Sequence, residues 1–266
     1  MNAPILRFDH VGAAYGHRFV WRDLTLDITA GEFVAVLGGN GSGKTTMFRV
    51  VLGQLAPATG RVEVFGAPPR RGNPRVGYVP QQRAFDPGLP IRGVDLVRLG
   101  FDGHRWGPAL PARATSARIE RALEAVGATG FAGSPVGQLS GGEQQRLRIA
   151  QATVADPALL LADEPLLSLD LASQSDVVGI LNRRREEAGS AVVVVTHDVN
   201  PVLPYVDRIV YLAGGAWAAG SPDEVLTTET LSELYGAPVD VLRVRGRVVI
   251  VGAPDASHHS DEHEVV

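Results

Sequence analysis

The 266-residue chain contains no cysteine. That excludes a disulfide scaffold, a zinc ribbon, iron–sulfur ligation and cysteine nucleophiles together, and it suits a reducing compartment. Long apolar runs are also missing. The longest are about five residues, such as Ala191 to Val195, against the ~20 that a spanning helix needs. The N-terminus, Met1 to Asp9, lacks a basic region followed by an apolar stretch, so no signal peptide is expected. The chain is expected to be soluble on its own while free to dock on a membrane protein. An excess of positive charge is absent too. The formal net charge is −4, which argues against nucleic acid as the main partner. Lysine is nearly absent: of 25 basic residues, 24 are arginine and one is Lys44. A lone lysine in such a chain points to a task that a compact ammonium performs and a planar guanidinium does not. What remains is 45% hydrophobic and 20% charged, enough for a substantial core without staples.

The neighbours of Lys44 give that task. Gly38-Gly39-Asn40-Gly41-Ser42-Gly43-Lys44-Thr45 fits G-x-x-x-x-G-K-[ST], the phosphate-binding loop. A chance match in a chain of this composition has odds of about one in a thousand. The run Phe33 to Leu37 before it reads as a strand buried on both faces of a parallel sheet. Thr46 to Leu55 after it reads as a helix. Glycines let successive N–H groups turn toward phosphate oxygens, and the helix start adds its positive dipole end. In such loops the lysine reaches the β- and γ-phosphates and the Thr45 hydroxyl holds Mg²⁺.

Two further apolar strands end in reactive groups. Ala158 to Ala162 runs into Asp163-Glu164, and Ala191 to Val195 into Thr196-His197. Ligands of parallel α/β sheets sit at the carboxyl ends of the strands, so loop, acidic pair and histidine are expected at one site. Asp163 reads as the second Mg²⁺ anchor, leaving Glu164 free to polarise a water. Leu139 to Arg146 holds a capping box, Ser140 with Glu143, opening a helix through about Thr153. Its two glycines expose a second anion-binding helix start. Two such starts with one Mg²⁺ constellation suggest chains that share sites.

In order and spacing, Gly38 to Thr45, Leu139 to Arg146, Leu159 to Pro165, Ser168-Leu169-Asp170 and His197 resemble ATP-binding cassette (ABC) ATPases, over Leu6 to about Leu226. The resemblance implies an ATPase using ATP and Mg²⁺. It implies that Tyr15 stacks on adenine and that Gly38, Gly39, Asn40, Gly41, Ser42, Gly43, Lys44, Thr45 and Thr46 bind the nucleotide. Thr45, Gln81 and Asp163 would hold the metal, with Gln81 also near the attacking water. Glu164 would be the catalytic base and His197 the switch residue at the γ-phosphate. Ser140, Gly141 and Gly142 would bind nucleotide held by the opposite protomer, and Asp170 would link the two sites.

The expected fold is α/β: a phosphate-loop ATPase core with an N-terminal antiparallel β portion (Ile5 to Phe8, Leu24 to Ile28, Val62 to Phe65) and an inserted α-helical subdomain at about 86–155. Within it, Ile119, Ala122, Leu123 and Val126 repeat at helical spacing and Gly127 closes the helix. Arg183 to Glu187 reads as a solvated helix end. Val239 to Val244 and Val248 to Val251 read as a hairpin closing an ATPase domain of 1–252. Residues 253–266 read as a disordered tail whose His258, His259 and His263, with Asp261 and Glu262, form a candidate weak divalent-metal tract. Tyr78 to Gln81 and Leu234 to Pro238 resemble the zinc/manganese importer branch, which shares much with iron-siderophore and cobalamin importers. The resemblance therefore implies an ATP-dependent homodimer, a membrane permease, a separate solute-binding protein and a place on the cytoplasmic membrane face. An exporter ATPase and a soluble non-transport ABC protein are the alternatives.

Overall fold

The computed structural model describes residues 3–81, 84–103 and 112–252. The tail 253–266 and Gln82 lie outside the described residues. Strands β1 (Leu6–Tyr15) and β2 (Arg18–Ile28) form a hairpin, followed by β3 (Phe33–Leu37), α1 (Lys44–Val51), β4 (Thr59–Val64) and β5 (Val76–Val79). Three helices come next: α2 (Gly93–Asp102), α3 (Ala112–Ala125) and α4 (Gly141–Thr153). The chain then alternates through β6 (Leu159–Asp163), α5 (Leu171–Ala188) and β7 (Ala191–Val195) to β8 (Arg208–Ala213) and β9 (Ala216–Gly220). Short helices α6 (Pro222–Val225) and α7 (Thr228–Tyr235) lead to a hairpin of β10 (Asp240–Val244) and β11 (Arg247–Val251).

The fold is mixed α/β. Six strands lie in the order β5-β6-β7-β3-β8-β9, parallel except for β9 against β8. An antiparallel sheet β2-β1-β4 lies apart from it. The strand period divides the core in two. Phe33, Ala35 and Leu37 of β3 join one cluster with residues of α2 to α5. Val34 and Val36 point the other way, into a cluster with Met47 and Phe48 of α1 and the N-terminal strands. A strand covered on both faces has no polar alternation, which is why β3, β6 and β7 read as unbroken apolar runs. Because β5, β6, β7 and β3 are parallel, their carboxyl ends share one edge. Those ends are the segments that carry Gln81, Asp163, His197 and the phosphate loop.

The N-terminal strands are longer than their sequence pattern suggests. His10 (φ 50°) and Asp23 (φ 56°) sit in the left-handed region where the β1–β2 register shifts. Each bulge breaks the alternation that marks a strand. Helix α1 begins at Lys44 itself and ends before the expected Leu55, because Gly53 adopts φ 66° and stops it. Ile119, Ala122, Leu123 and Val126 are all buried, as their spacing requires. The Arg183–Glu187 run does end α5, yet it is only partly solvated. Arg184 pairs with Asp156, and Arg185 Nη1 donates to Asp207 at 2.9 Å. Both partners lie far along the chain, so no local pattern announces them.

Candidate nucleotide site

Lys44 opens α1 and is 7% exposed. Its Nζ donates to the carbonyls of Gly38 at 2.7 Å and Gly39 at 2.9 Å. Burial lowers its proton affinity, while Glu164 and Asp163 pull the other way. Gly43, the residue before the helix, has φ 97° and no side chain to cap the first amides. Those amides therefore remain for an external acceptor. The Trp21 indole, fully buried, donates to the Gly43 carbonyl at 3.4 Å and pins the loop against β2.

Gly38 is the least replaceable glycine of the loop. It has φ 141°, and a Cβ there would lie 2.1 Å from the Leu212 carbonyl oxygen of the neighbouring strand. Gly38→Ala is expected to cost about 3 kcal/mol, from backbone strain and this overlap together. Urea denaturation checks it. A loss under about 0.5 kcal/mol, the size of an ordinary surface change, would mean that the loop is not held as described.

Asp163 closes β6 and is 2% exposed. Thr45 Oγ1 donates to its Oδ1, and Tyr78 Oη to its Oδ2, both at 3.4 Å. Burial pushes the Asp163 carboxyl up, with the Thr45 hydrogen bond opposing. Burial likewise raises the Tyr78 hydroxyl to about 12, keeping it a donor. Glu164 follows with φ 48°, a left-handed conformation rare outside glycine. Its amide donates to the Val195 carbonyl at 2.9 Å, which ties the backbone just after β6 to the carboxyl end of β7. Glu164 Oε2 lies 3.0 Å from His197 Nδ1, with the glutamate mostly buried and the histidine exposed.

Tyr15, at the end of β1, is 46% exposed, so it is no core tyrosine. Its hydroxyl accepts from Arg49 Nη1 at 3.0 Å and lies 3.5 Å from Thr46 Oγ1. A cleft of about 1120 Å³ gathers Tyr15, Asn40, Lys44, Thr45, Gln81 and Glu164 on its walls. That volume suits a nucleotide-sized ligand. Ser140, Gly141, Gly142 and Asp170 line no part of this cleft. They form a second cluster. Ser140 caps α4 with both halves of its box: Oγ accepts from the Glu143 amide, and the Ser140 amide donates to Glu143 Oε2 at 2.9 Å. Asp170 caps α5 through Ser173, and a Cβ on Gly142 would meet Ser173 Oγ at 2.8 Å. The two helix starts thus stand side by side, with Ser140 and Gly141 exposed.

Several contributors escape a sequence reading. Tyr78, Trp21 and Arg49 reach the site through contacts across different strands and helices. Only Arg49 carries a local signal, four residues beyond Thr45 on one helix face. Tyr235 of α7 also lines the cleft.

The family profile described as ABC transporter matches residues 21–167. A phosphonates import ATP-binding protein, PhnC, of Anaeromyxobacter dehalogenans is 40% identical over 268 residues, covering 97% of this chain. The chain spans only 52% of that relative's length. A zinc import ATP-binding protein, ZnuC, of Pseudomonas fluorescens is 34% identical over 238 residues, covering 89% of this chain and 84% of the relative. Among solved structures, cbiO1 of Clostridium perfringens, part of the ABC transporter complex cbiONQ, superposes with a TM-score of 0.75 at 27% identity. It covers 87% of this chain and 94% of its own. A dimeric, post-hydrolysis state of the cassette MJ0796 bound to ADP and Pi superposes at 0.68 with 29% identity, covering 81% and 98%.

Proposed function

Because the chain belongs to the ABC transporter family, in which it is an ATP-hydrolysing cassette, we propose that it powers import of a divalent transition metal, zinc foremost, through a membrane permease. The observation that supports the chemistry is the convergence of Lys44, Thr45, Asp163, Glu164 and His197 at one edge of the parallel sheet. The zinc-import relative that the chain matches over most of both lengths supports the cargo. Among the described residues no helix is long and apolar enough to cross a membrane, so a separate permease would supply the path. A solute-binding protein would deliver the metal.

The residues fit the roles that the chemistry requires. The loop amides and Lys44 receive the β- and γ-phosphates, with the ammonium exchanging the Gly38 and Gly39 carbonyls for phosphate oxygens. Tyr15, oriented by Arg49, offers its ring to the base. Thr45, Asp163 and Gln81 supply hard oxygen donors that suit Mg²⁺. Burial raises the proton affinity of the Asp163 carboxylate and the nearby Lys44 only partly offsets it, so a bound cation would stabilise the charged form. When bound, Mg²⁺ neutralises charge on the phosphates. Glu164 takes the proton of the attacking water as the water oxygen bonds to the γ-phosphorus and the bond to the β-phosphate oxygen breaks, leaving ADP and phosphate. His197, bonded to Glu164 through Nδ1, holds that carboxylate and presents its other ring nitrogen to the γ-phosphate. Ser140, Gly141 and Gly142 line no part of this cleft, so they would close the site of a second protomer, with Asp170 beside them.

The identity shared with the phosphonate relative keeps a phosphonate cargo as the second reading. Cells deleted for this gene separate the two. Growth that fails under zinc limitation and recovers with added zinc supports the metal. Normal growth without zinc, together with failure on phosphonate as the phosphorus source, would overturn it.

A further inference from the structure

Four of the seven large apolar side chains exposed among the described residues lie on one small surface. Leu242, Val244, Val249 and Val251 are 45% to 53% exposed and share the outer face of the β10–β11 hairpin. The inner face is accounted for: Val248 is buried, and Val241 and Ile250 pack on the main core. The turn is tight, with Arg245 at φ 49° and Gly246 at φ 76°, both central residues left-handed as a type I′ turn requires. No other strand of the described chain pairs with either outer edge.

We propose that this outer face is a contact between two copies of the chain, formed when ATP bridges them; the proposal rests on the shared-site reading above. The face is self-complementary. Leu242 opposite Val249 makes its centre, Asp240 stands at one end beside Val251, and Arg247 stands at the other beside Val244. Neither charge forms an ion pair among the described residues. Two such faces stacked with their strands antiparallel, about 10 Å apart, bury both apolar centres. The same stacking puts Asp240 of one copy at the end that holds the partner's Arg247, one strand spacing of about 5 Å to the side, within reach of an arginine. A two-fold dimer repeats that pair at both ends.

The hairpin also rides on the nucleotide-facing loop. Asn200 Oδ1 accepts from the Val248 amide at 2.8 Å, and its Nδ2 donates to the Val248 carbonyl at 3.0 Å. The same Nδ2 donates at 2.8 Å to Asp198, the residue after His197. A contact at the hairpin and one at the γ-phosphate thus load the same loop. Four half-exposed side chains fall well short of the ~800 Å² per partner of a stable interface. The hairpin contact therefore does not hold a dimer without nucleotide; it strengthens one that ATP has already joined, as a second tethered contact does.

The test is sedimentation of the full chain carrying Glu164→Gln, with ATP and Mg²⁺. Adding Leu242→Asp and Val249→Asp is expected to weaken the ATP-dependent dimer roughly tenfold or more. ATP affinity of the dilute monomer and the melting temperature should stay unchanged, since both positions are exposed. The charges give a second arm. Asp240→Arg and Arg247→Asp should each weaken the dimer a fewfold, and the double swap should restore it. Within one hairpin the two residues are about 14 Å apart along the strands, so restoration must come from the partner. If the parent dimerises with ATP and the apolar variant does so equally tightly, the hairpin contact is overturned and the shared site stands. If the parent never dimerises with ATP, both fall.

Discussion

Glu164→Gln is expected to bind ATP with near-normal affinity and to lose about 10²–10⁴-fold in hydrolysis, the range of a general base. The substitution keeps the size of the side chain and the oxygen that can meet His197 Nδ1, 3.0 Å away. It removes only the capacity to take a proton. The left-handed backbone at position 164 is held by its amide bond to the Val195 carbonyl at the end of β7, so glutamine inherits the same placement. Phosphate release measured alongside nucleotide binding separates the two quantities. Hydrolysis within tenfold of normal would pass the base role to another group, His197 first.

Lys44→Ala and Lys44→Arg should both lose at least about 10²–10³-fold of activity, the scale for removing one donor that meets developing charge. Alanine simply lacks the ammonium. Arginine retains the charge and still fails, because Lys44 is 7% exposed and its Nζ fits between two carbonyls at 2.7 and 2.9 Å. A planar guanidinium is longer, and its donors are fixed in a fork. The chain uses arginine at every other basic position, so arginine here would be the default wherever it sufficed. Near-normal turnover by Lys44→Arg would remove the phosphate-loop assignment.

What the sequence displays and what it hides divide along range. The phosphate loop, the capping box at Ser140 with Glu143 and the apolar strands ending at Asp163 and His197 are encoded within a few residues each, and the structure places them accordingly. The bulges at His10 and Asp23 hide half of β1 and β2, because one extra residue reverses the alternation on either side. Tyr78 reads as an ordinary strand residue until β6 brings Asp163 beside it. The ties from Arg184 to Asp156 and from Asn200 to Val248 join segments 28 and 48 residues apart. No local pattern specifies such pairs; only the folded topology brings them together. The separation of Ser140 to Gly142 from the cleft is likewise a fact of topology.

The central claim is that one catalytic site is built from two chains, and phosphate release from mixed variants tests it most directly. Lys44→Ala lacks the ammonium of its own site, and Ser140→Arg blocks the helix start offered to a partner. Each should be nearly inactive alone. The arginine also removes an N-cap, a loss of about 1 kcal/mol that a domain of this size tolerates. A dimer of one chain of each kind holds one site with intact Lys44 from one chain and intact Ser140 from the other. Random pairing makes half of the dimers mixed, so an equimolar mixture should recover up to about a quarter of the normal rate. Ser140→Arg chains that hydrolyse ATP at the normal rate by themselves, or a folded mixture that recovers nothing, would contradict the shared site.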